Sequence, residues 1–530
     1  MNKYLSIFCL LLVSCSQQEN KKEVVKNNNG HWAPKSVAYE IFVQSFYDSD
    51  GDGIGDIKGM TSKLQHVKDL GADAIWLMPI MESPSYHKYD VVDYKSIHPD
   101  YGSVEDFKAF VDEAHSMGIK VIIDFIINHT GSDHPWFQNA MQGPDAKYRD
   151  YYVWADKDSI AEEIAKKEIS FDSDNITQWH AVDGDTTAEH YYGFFHGGMP
   201  DLNFDNPEVR KEVYAIGKFW LEEMDVDGFR MDAAKHIYPD DRAEDSHEFW
   251  AEFKTEMEKI KSNVYIVGEV WANTETQAPY VKGFTALFDF DLAFSIIESV
   301  NKGKVTKASI SGHGWDTDSV GSFITRVIEN KKTYNEVNEG YTNATFLTNH
   351  DQNRAMSMLD NDVEKAKAAA AILLTLPGTP YIYYGEEIGM KGMKPDPNIR
   401  EPFIWETPAG EGRASWIEPK FSTDETITSL EEQVKDNNSL YNYYKSLIEI
   451  RKSNEALTLG DLQAKQVENE SLLVFDRKSD GQNVIVVHNL SDTEQTIDIE
   501  SSKSLIFGNN EWLEEGKLTL PAYKSAIVNQ

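Results

Sequence analysis

The sequence predicts a closed (β/α)8 barrel of the TIM type, with a subdomain inserted after the third strand and a C-terminal antiparallel β-sandwich. Three observations carry that expectation. Short apolar runs alternate with amphipathic helical patterns from residue 37 to about 451, and eight of the runs have strand character. Polar, chemistry-bearing residues cluster where several of those runs end, which is where a parallel barrel places its loops. Beyond residue 457 the pattern changes to short alternating segments split by Gly, Asp and Asn, the mark of antiparallel strands. An open doubly wound sheet has similar apolar runs, but eight strands over about 350 residues favour closure.

Taken in order, residues 1–14 read as a targeting segment: Lys3 is the positive start and residues 5–13 form an apolar run too short to span a bilayer. Residues 12–15 (LVSC) resemble the lipobox of bacterial lipoproteins, which implies lipidation of Cys15. The chain has two cysteines, Cys9 and Cys15, so cleavage before Cys15 leaves no thiol for a disulfide. Residues 15–35 are expected to be a flexible tether, polar and rich in Lys and Asn over 17–30. The barrel is then assigned to 36–130 and 205–452, the inserted domain to 131–204, and the sandwich to 453–530.

Strands are expected at 37–47, 72–79, 120–127, 226–233, 264–270, 285–292, 344–348 and 380–384. The first runs into Asp48, Asp50, Asp52 and Asp56, spaced by glycines. Together with the Ile54 carbonyl, these can wrap oxygen ligands around one hard cation, and Ca2+ is the expected ion. The loop lacks the twelfth-position Glu of an EF-hand. After the second strand, Tyr89 and Asp90 are suited to stacking on and hydrogen-bonding a sugar. The long segment between the third and fourth strands, rich in Trp, Tyr, Phe, His and Gly, is too long for a bare loop.

The fourth run ends in residues 228–236 (GFRMDAAKH). Side chains alternate along a strand, so Arg230 and Asp232 share one face. A guanidinium two residues from a carboxylate holds it ionised and oriented, as an attacking Asp requires. A buried structural ion pair would have the same pattern. The formal net charge of −37 argues against a nucleic-acid groove but leaves neutral substrates open.

Four strand ends carry matched groups: residues 124–129 (DFIINH), 228–236, 268–271 (GEVW) and 346–351 (FLTNHD). In this order they resemble the α-amylase family of retaining glycoside hydrolases and transglycosylases, over residues 36 to about 530. Residues 199–203 (MPDLN) resemble a further signature of the family, between its oligo-1,6-glucosidase and neopullulanase groups. The resemblance implies Asp232 as nucleophile, Glu269 as general acid/base and Asp351 as the group that stabilises the distorted sugar. It also implies that His129, Arg230, His350, Tyr89 and Asp90 serve the donor sugar, with Lys235 and His236 on the leaving-group side.

The expected function is hydrolysis of α-1,4-glucosidic bonds in starch, maltodextrin or maltooligosaccharides by an α-amylase-like enzyme. Its alternatives are an exo-acting α-glucosidase or oligo-1,6-glucosidase and an α-glucan transglycosylase. The rival from another class is a non-catalytic glycan-binding or transporter-associated protein, which the three retained carboxylates disfavour. The expected setting is a bacterial cell envelope, as an outer-membrane lipoprotein that could serve a glycan-uptake complex.

Overall fold

Eight parallel strands form the central ring: β1 (Ala38–Ile41), β2 (Ala74–Leu77), β3 (Lys120–Phe125), β4 (Gly228–Met231), β5 (Tyr265–Gly268), β6 (Ala286–Leu287), β7 (Ala344–Thr345) and β8 (Thr379–Tyr383). The structure is a computed structural model, and it describes residues 31–162, 177–182, 189–307, 309–310, 314–315, 322–499 and 504–530. The targeting segment, Cys15 and the first part of the tether lie outside the described residues. Strand order is β7-β8-β1-β2-β3-β4-β5-β6, and a parallel bridge between Phe288 and Ala344 joins the two ends. That bridge makes the sheet a barrel. Gly228 begins β4 because a Cβ there would lie 2.0 Å from the Tyr265 carbonyl oxygen, so only glycine allows β4 and β5 this approach.

All but the last strand are shorter than the apolar runs suggested, and two of them show why. The first stops at Ile41, and Val43–Phe46 turns into one helical turn whose Gln44 carbonyl accepts from Gly55 N. The sixth stops at Leu287 because Asp289 caps the helix Phe290–Lys302, its side chain accepting from Leu292 N. Residues 31–35, counted with the tether above, are folded. Trp32 packs on Tyr265 with ring centroids 5.1 Å apart, and the Thr379 hydroxyl donates to the carbonyl of buried Ala33 at 2.7 Å. Apolar surface that can be buried at the open base of a barrel outweighs the local polarity of such a segment.

Inward-pointing Trp76, Ile122, Tyr265, Val267, Phe288 and Tyr381 fill the ring, and a larger apolar layer packs between its outer face and the helices. Between β3 and β4 the chain carries the helix Pro135–Ala140 and a three-stranded antiparallel sheet with His190–Tyr192 at its centre. It returns through the helix Pro207–Lys218. The bridge His129–Asp201 fastens this excursion to the segment that follows β3, and the bridge Tyr152–Leu202 closes the excursion on itself.

The C-terminal part has a five-stranded and a three-stranded antiparallel sheet. Leu472, Val474, Ile485 and Val487 of the first face Leu518 and Leu520 of the second across an apolar core. Two buried arginines line its junction with the barrel, and Arg477, on the first sheet, reaches across it. Arg451 donates to the carbonyls of Leu374 (2.8 Å), Leu376 (2.7 Å) and Gly378 (2.5 Å), and Arg477 to those of Thr375 (2.5 Å) and Gly460 (3.0 Å). They satisfy carbonyls that the helix Val363–Thr375 leaves unpaired at its C-terminus, where its dipole favours a cation.

Candidate active site

The mouth of the barrel is built around the Arg230 guanidinium. Alternation along β4 points Arg230 and Asp232 the same way, and pairing with β3 sets Asp124 opposite Arg230. Pairing with β5 sets Gly268 opposite Met231, which brings Glu269 alongside Asp232. Arg230 Nη1 then lies 2.8 Å from Asp124 and 2.6 Å from Asp232, and its Nη2 lies 2.9 Å from Glu269. One fully buried cation joins three carboxylates from three strands. Burial opposes its charge, but Asp124 and Glu269 hold the guanidinium well above its ordinary pKa.

The carboxylates do not behave alike. Burial, reinforced by the negative charges of Asp232 and Asp351 and opposed by Arg230, pushes the Glu269 carboxyl up to about 7. Burial raises Asp124 to about 7 as well, against the pull of Arg230, so both buried acids tend to hold a proton near neutrality, and Glu269 is the one that faces Asp232 from the next strand. Val267 is buried within the barrel, and Trp271 lies flat on Phe290 with centroids 4.3 Å apart, both contributing apolar surround on the Glu269 strand. Ala233, directly after Asp232, has φ of 47°, a strained backbone for a residue with a Cβ. That turn aims its N–H at Glu269 Oε2, 3.2 Å away.

A second cluster comes from β1, β7 and the loop after β8. His350 Nδ1 lies 2.6 Å from Glu40, and its Nε2 lies 3.0 Å from Asp351 and 2.6 Å from the Tyr89 hydroxyl. Burial alone would discharge this imidazole, but Asp351 and Glu40 raise it to about 9. Tyr89 donates its hydroxyl to Asp124 at 3.1 Å and lies parallel to His350 with centroids 5.7 Å apart, linking the two clusters. Arg400 contacts Asp351 at 2.9 Å and Asp396 at 3.3 Å, and its Nε donates to the His350 carbonyl at 2.9 Å. Burial would raise the Asp351 carboxyl, yet His350 and Arg400 overcome it and hold that group well below the usual carboxylate range.

Of the other predicted residues, His129 is buried with Nε2 3.2 Å from the Tyr89 carbonyl, and His236 stacks on Phe194 at 3.9 Å. Asp90 accepts from the Ser83 hydroxyl at 2.5 Å and from Ser85. Lys235 Nζ lies 3.5 Å from Asp240. Glu40 and Arg400 were not singled out from the sequence. A lone acid inside the apolar first run was a usable signal for Glu40; nothing in the Gly- and Pro-rich loop marked Arg400. Glu386 and Glu387, just past β8, are both buried, on the hydroxyl of Tyr444 (2.9 Å) and on Tyr39 and His66 (2.8 and 3.0 Å).

The acidic loop before the first barrel helix brings carboxylate oxygens of Asp48, Asp50 and Asp56 within 4.8 Å of one another. An all-oxygen donor set of this kind suits a hard cation. Asp52 is not in that group; its Oδ1 accepts from Ile54 N at 2.7 Å. Asp56 also caps the following helix by accepting from Gly59 N at 2.8 Å.

The alpha amylase catalytic-domain profile matches residues 40–460. The chain belongs to the alpha-amylase family. The Alpha-amylase SusG C-terminal domain profile matches residues 472–527, the two-sheet part. Alpha-amylase 3 of Dictyoglomus thermophilum is 40% identical over 505 residues, covering 94% of each chain. The 4-alpha-glucanotransferase of Thermotoga maritima is 35% identical over 463 residues, covering 86% of this chain and 96% of its own. Among solved structures, the alpha-amylase from H. orenii superposes with a TM-score of 0.83 at 42% identity, covering 93% and 99%. Oligo-1,6-glucosidases are also among the relatives. This alpha-amylase family member is thus an enzyme acting on α-glucosidic linkages.

Proposed function

We propose that this enzyme cleaves α-1,4-glucosidic bonds of maltooligosaccharides and starch by double displacement with retention. The observation that carries this reading is the shared Arg230 guanidinium, which joins Asp232 and Glu269 in one cluster. Carboxyl groups about 5 Å apart leave no room for an inserted water, so one attacks carbon while the other moves the proton. Asp232, held by Arg230, is the nucleophile that forms the glycosyl-enzyme ester. Glu269, protonated up to about 7, donates to the departing glycosidic oxygen and then, as carboxylate, takes the proton of the incoming hydroxyl. Asp351, kept ionised by His350 and Arg400, accepts hydroxyls of the sugar and stabilises its oxocarbenium-like form.

The relatives include hydrolases and glucanotransferases, and they give the transferring and trimming alternatives wider support than a purely endo-acting amylase. We therefore assign the glycosyl-enzyme both fates, water and a sugar hydroxyl. Product profiles over time on soluble starch, pullulan and maltoheptaose test this. Mid-length oligosaccharides with fast loss of iodine staining support endo cleavage, and products longer than maltoheptaose support transfer. Glucose as the sole early product would reverse the endo assignment, and inversion at the anomeric carbon by NMR would end the double-displacement reading.

Asp48, Asp50 and Asp56 would hold Ca2+ as a structural ion that rigidifies the loop beside the mouth. Lipidation at Cys15 would tether the enzyme to the envelope; Cys15→Ser releasing it from membranes tests that.

A further inference from the structure

Asp351 and Arg400 meet at the mouth although they come from different loops, one after β7 and one after β8. Arg354 stands where these loops join. It follows Asp351 by three residues and is 1% exposed. Its Nε donates to the Ile399 carbonyl at 2.9 Å, and its Nη1 donates to the Tyr384 carbonyl at 2.7 Å. Its backbone N–H donates to the Gly392 carbonyl at 3.0 Å. The guanidinium carbon lies over the rings of Tyr383 and Tyr384, 4.3 and 4.7 Å from their centroids. One side chain thus fixes the residue that opens the loop after β8 and the residue that precedes Arg400. The adjoining Asn353 helps, its Oδ1 accepting from Lys394 N at 2.7 Å.

Burying a guanidinium on carbonyls alone is costly, and the Nη2 of Arg354 has no hydrogen-bond partner among the described residues. What arginine supplies at that cost is two donors fixed in one rigid plane. They are needed because the chain from Gly385 to Arg400 contains only one helical turn, Asp396–Ile399, and has no ladder to hold it. We propose that Arg354 is a positioning residue for the donor sugar: it holds Arg400 against Asp351 and affects catalysis through that contact, a reading that rests on the role of Asp351 given above. The circuit is closed. Asp351 leads along the chain to Arg354, Arg354 grips Ile399, and the next residue, Arg400, returns to Asp351 at 2.9 Å and to the His350 carbonyl at 2.9 Å. If the grip on Ile399 is released, Arg400 loses its fixed origin, and small displacements of a group that orients a reacting carboxylate are expensive.

The test is a double-mutant cycle between Arg354→Gln and Arg400→Ala, read as kcat/KM for nitrophenol release from 4-nitrophenyl α-maltoside. Arg354→Gln alone is expected to lower kcat/KM about tenfold, which corresponds to about 1.4 kcal/mol of barrier. In the Arg400→Ala background the same change should cost less than about twofold, because the contact it serves is already gone. Arg354→Lys keeps a cation and one donor, so it should fall between wild type and Arg354→Gln, and it enters the same cycle if the Gln variant does not fold. Where turnover is too slow to read, calorimetric binding of maltotriose to the same proteins carrying Asp232→Asn supplies the cycle. Equal losses in both backgrounds overturn the proposal and leave Arg354 a residue of the fold alone. Wild-type kcat/KM in both Arg354 variants overturns it as well. Full activity of Asp351→Asn would instead remove the reading of Asp351, and this proposal with it.

Discussion

The enzyme buries arginine in two very different ways. At the mouth, Arg230 is surrounded by Asp124, Asp232 and Glu269, all within 2.9 Å. At the junction with the C-terminal sheets, Arg451 and Arg477 donate to main-chain carbonyls, and among the described residues no carboxylate pairs with either. Burial lowers the Arg451 guanidinium to about 10 and pushes that of Arg477 well below its usual value, while Arg230 is raised. The difference separates chemistry from architecture. Around Arg230 the neighbouring charges can change protonation as a reaction proceeds; around Arg451 and Arg477 the partners are fixed dipoles that can only hold a helix end in place.

The sharpest break between the two regions is expected from Asp232→Asn. Loss of the nucleophile should lower kcat by at least about 10^4-fold, while the thermal midpoint stays close to wild type. Nitrophenol release and a thermal scan on the same sample check this, and retained turnover would refute the assignment of roles at the mouth. The opposite pattern is expected from Arg477→Ala. Leaving two buried carbonyls unpaired should cost about 2–4 kcal/mol of stability, seen as a lower midpoint in urea, with kcat unchanged well below that midpoint. A fall in kcat without loss of stability would erase the distinction drawn here.

The pH profile sharpens it further. Glu269 must carry its proton to act as the acid, and its carboxyl is pushed up to about 7. Activity should therefore hold below that pH and fall as pH rises through it, by about tenfold per unit beyond. Glu269→Gln should abolish this alkaline limb for donors with a good leaving group, which need no acid. A further effect concerns the acidic loop. Calcium at 100 times its Kd should raise the thermal midpoint through about 2.7 kcal/mol of linkage, and chelation should reverse the rise. Asp48→Asn and Asp56→Asn should not respond, and an equal response in those variants would move the ion elsewhere.

Much of the mouth was legible because parallel strands deliver their ends to one face. Asp124, Arg230, Asp232, Glu269 and His350 each sit at or just past the end of an apolar run. Glu40 and Arg400 were not legible as partners. Glu40 meets His350 only because β1 and β7 both flank β8, a closeness across 310 positions that no spacing records. Arg400 belongs to an irregular segment, whose course is decided by what it packs on and carries no period of its own. Asp52 illustrates the converse. Its type and spacing match the cation loop, yet the carboxylates of Asp48, Asp50 and Asp56 gather without it.

The sequence by itself determined the alternation of strands and helices, the carboxylates at their ends and the change to antiparallel pairing, because each depends on local periodicity. Only the tertiary structure decided which acid keeps its proton. Burial and the arrangement of neighbouring charges raise Glu269 and depress Asp351, although both are carboxylic acids at the mouth of one barrel. Those energies depend on distances between residues far apart in the chain, and folding alone sets them.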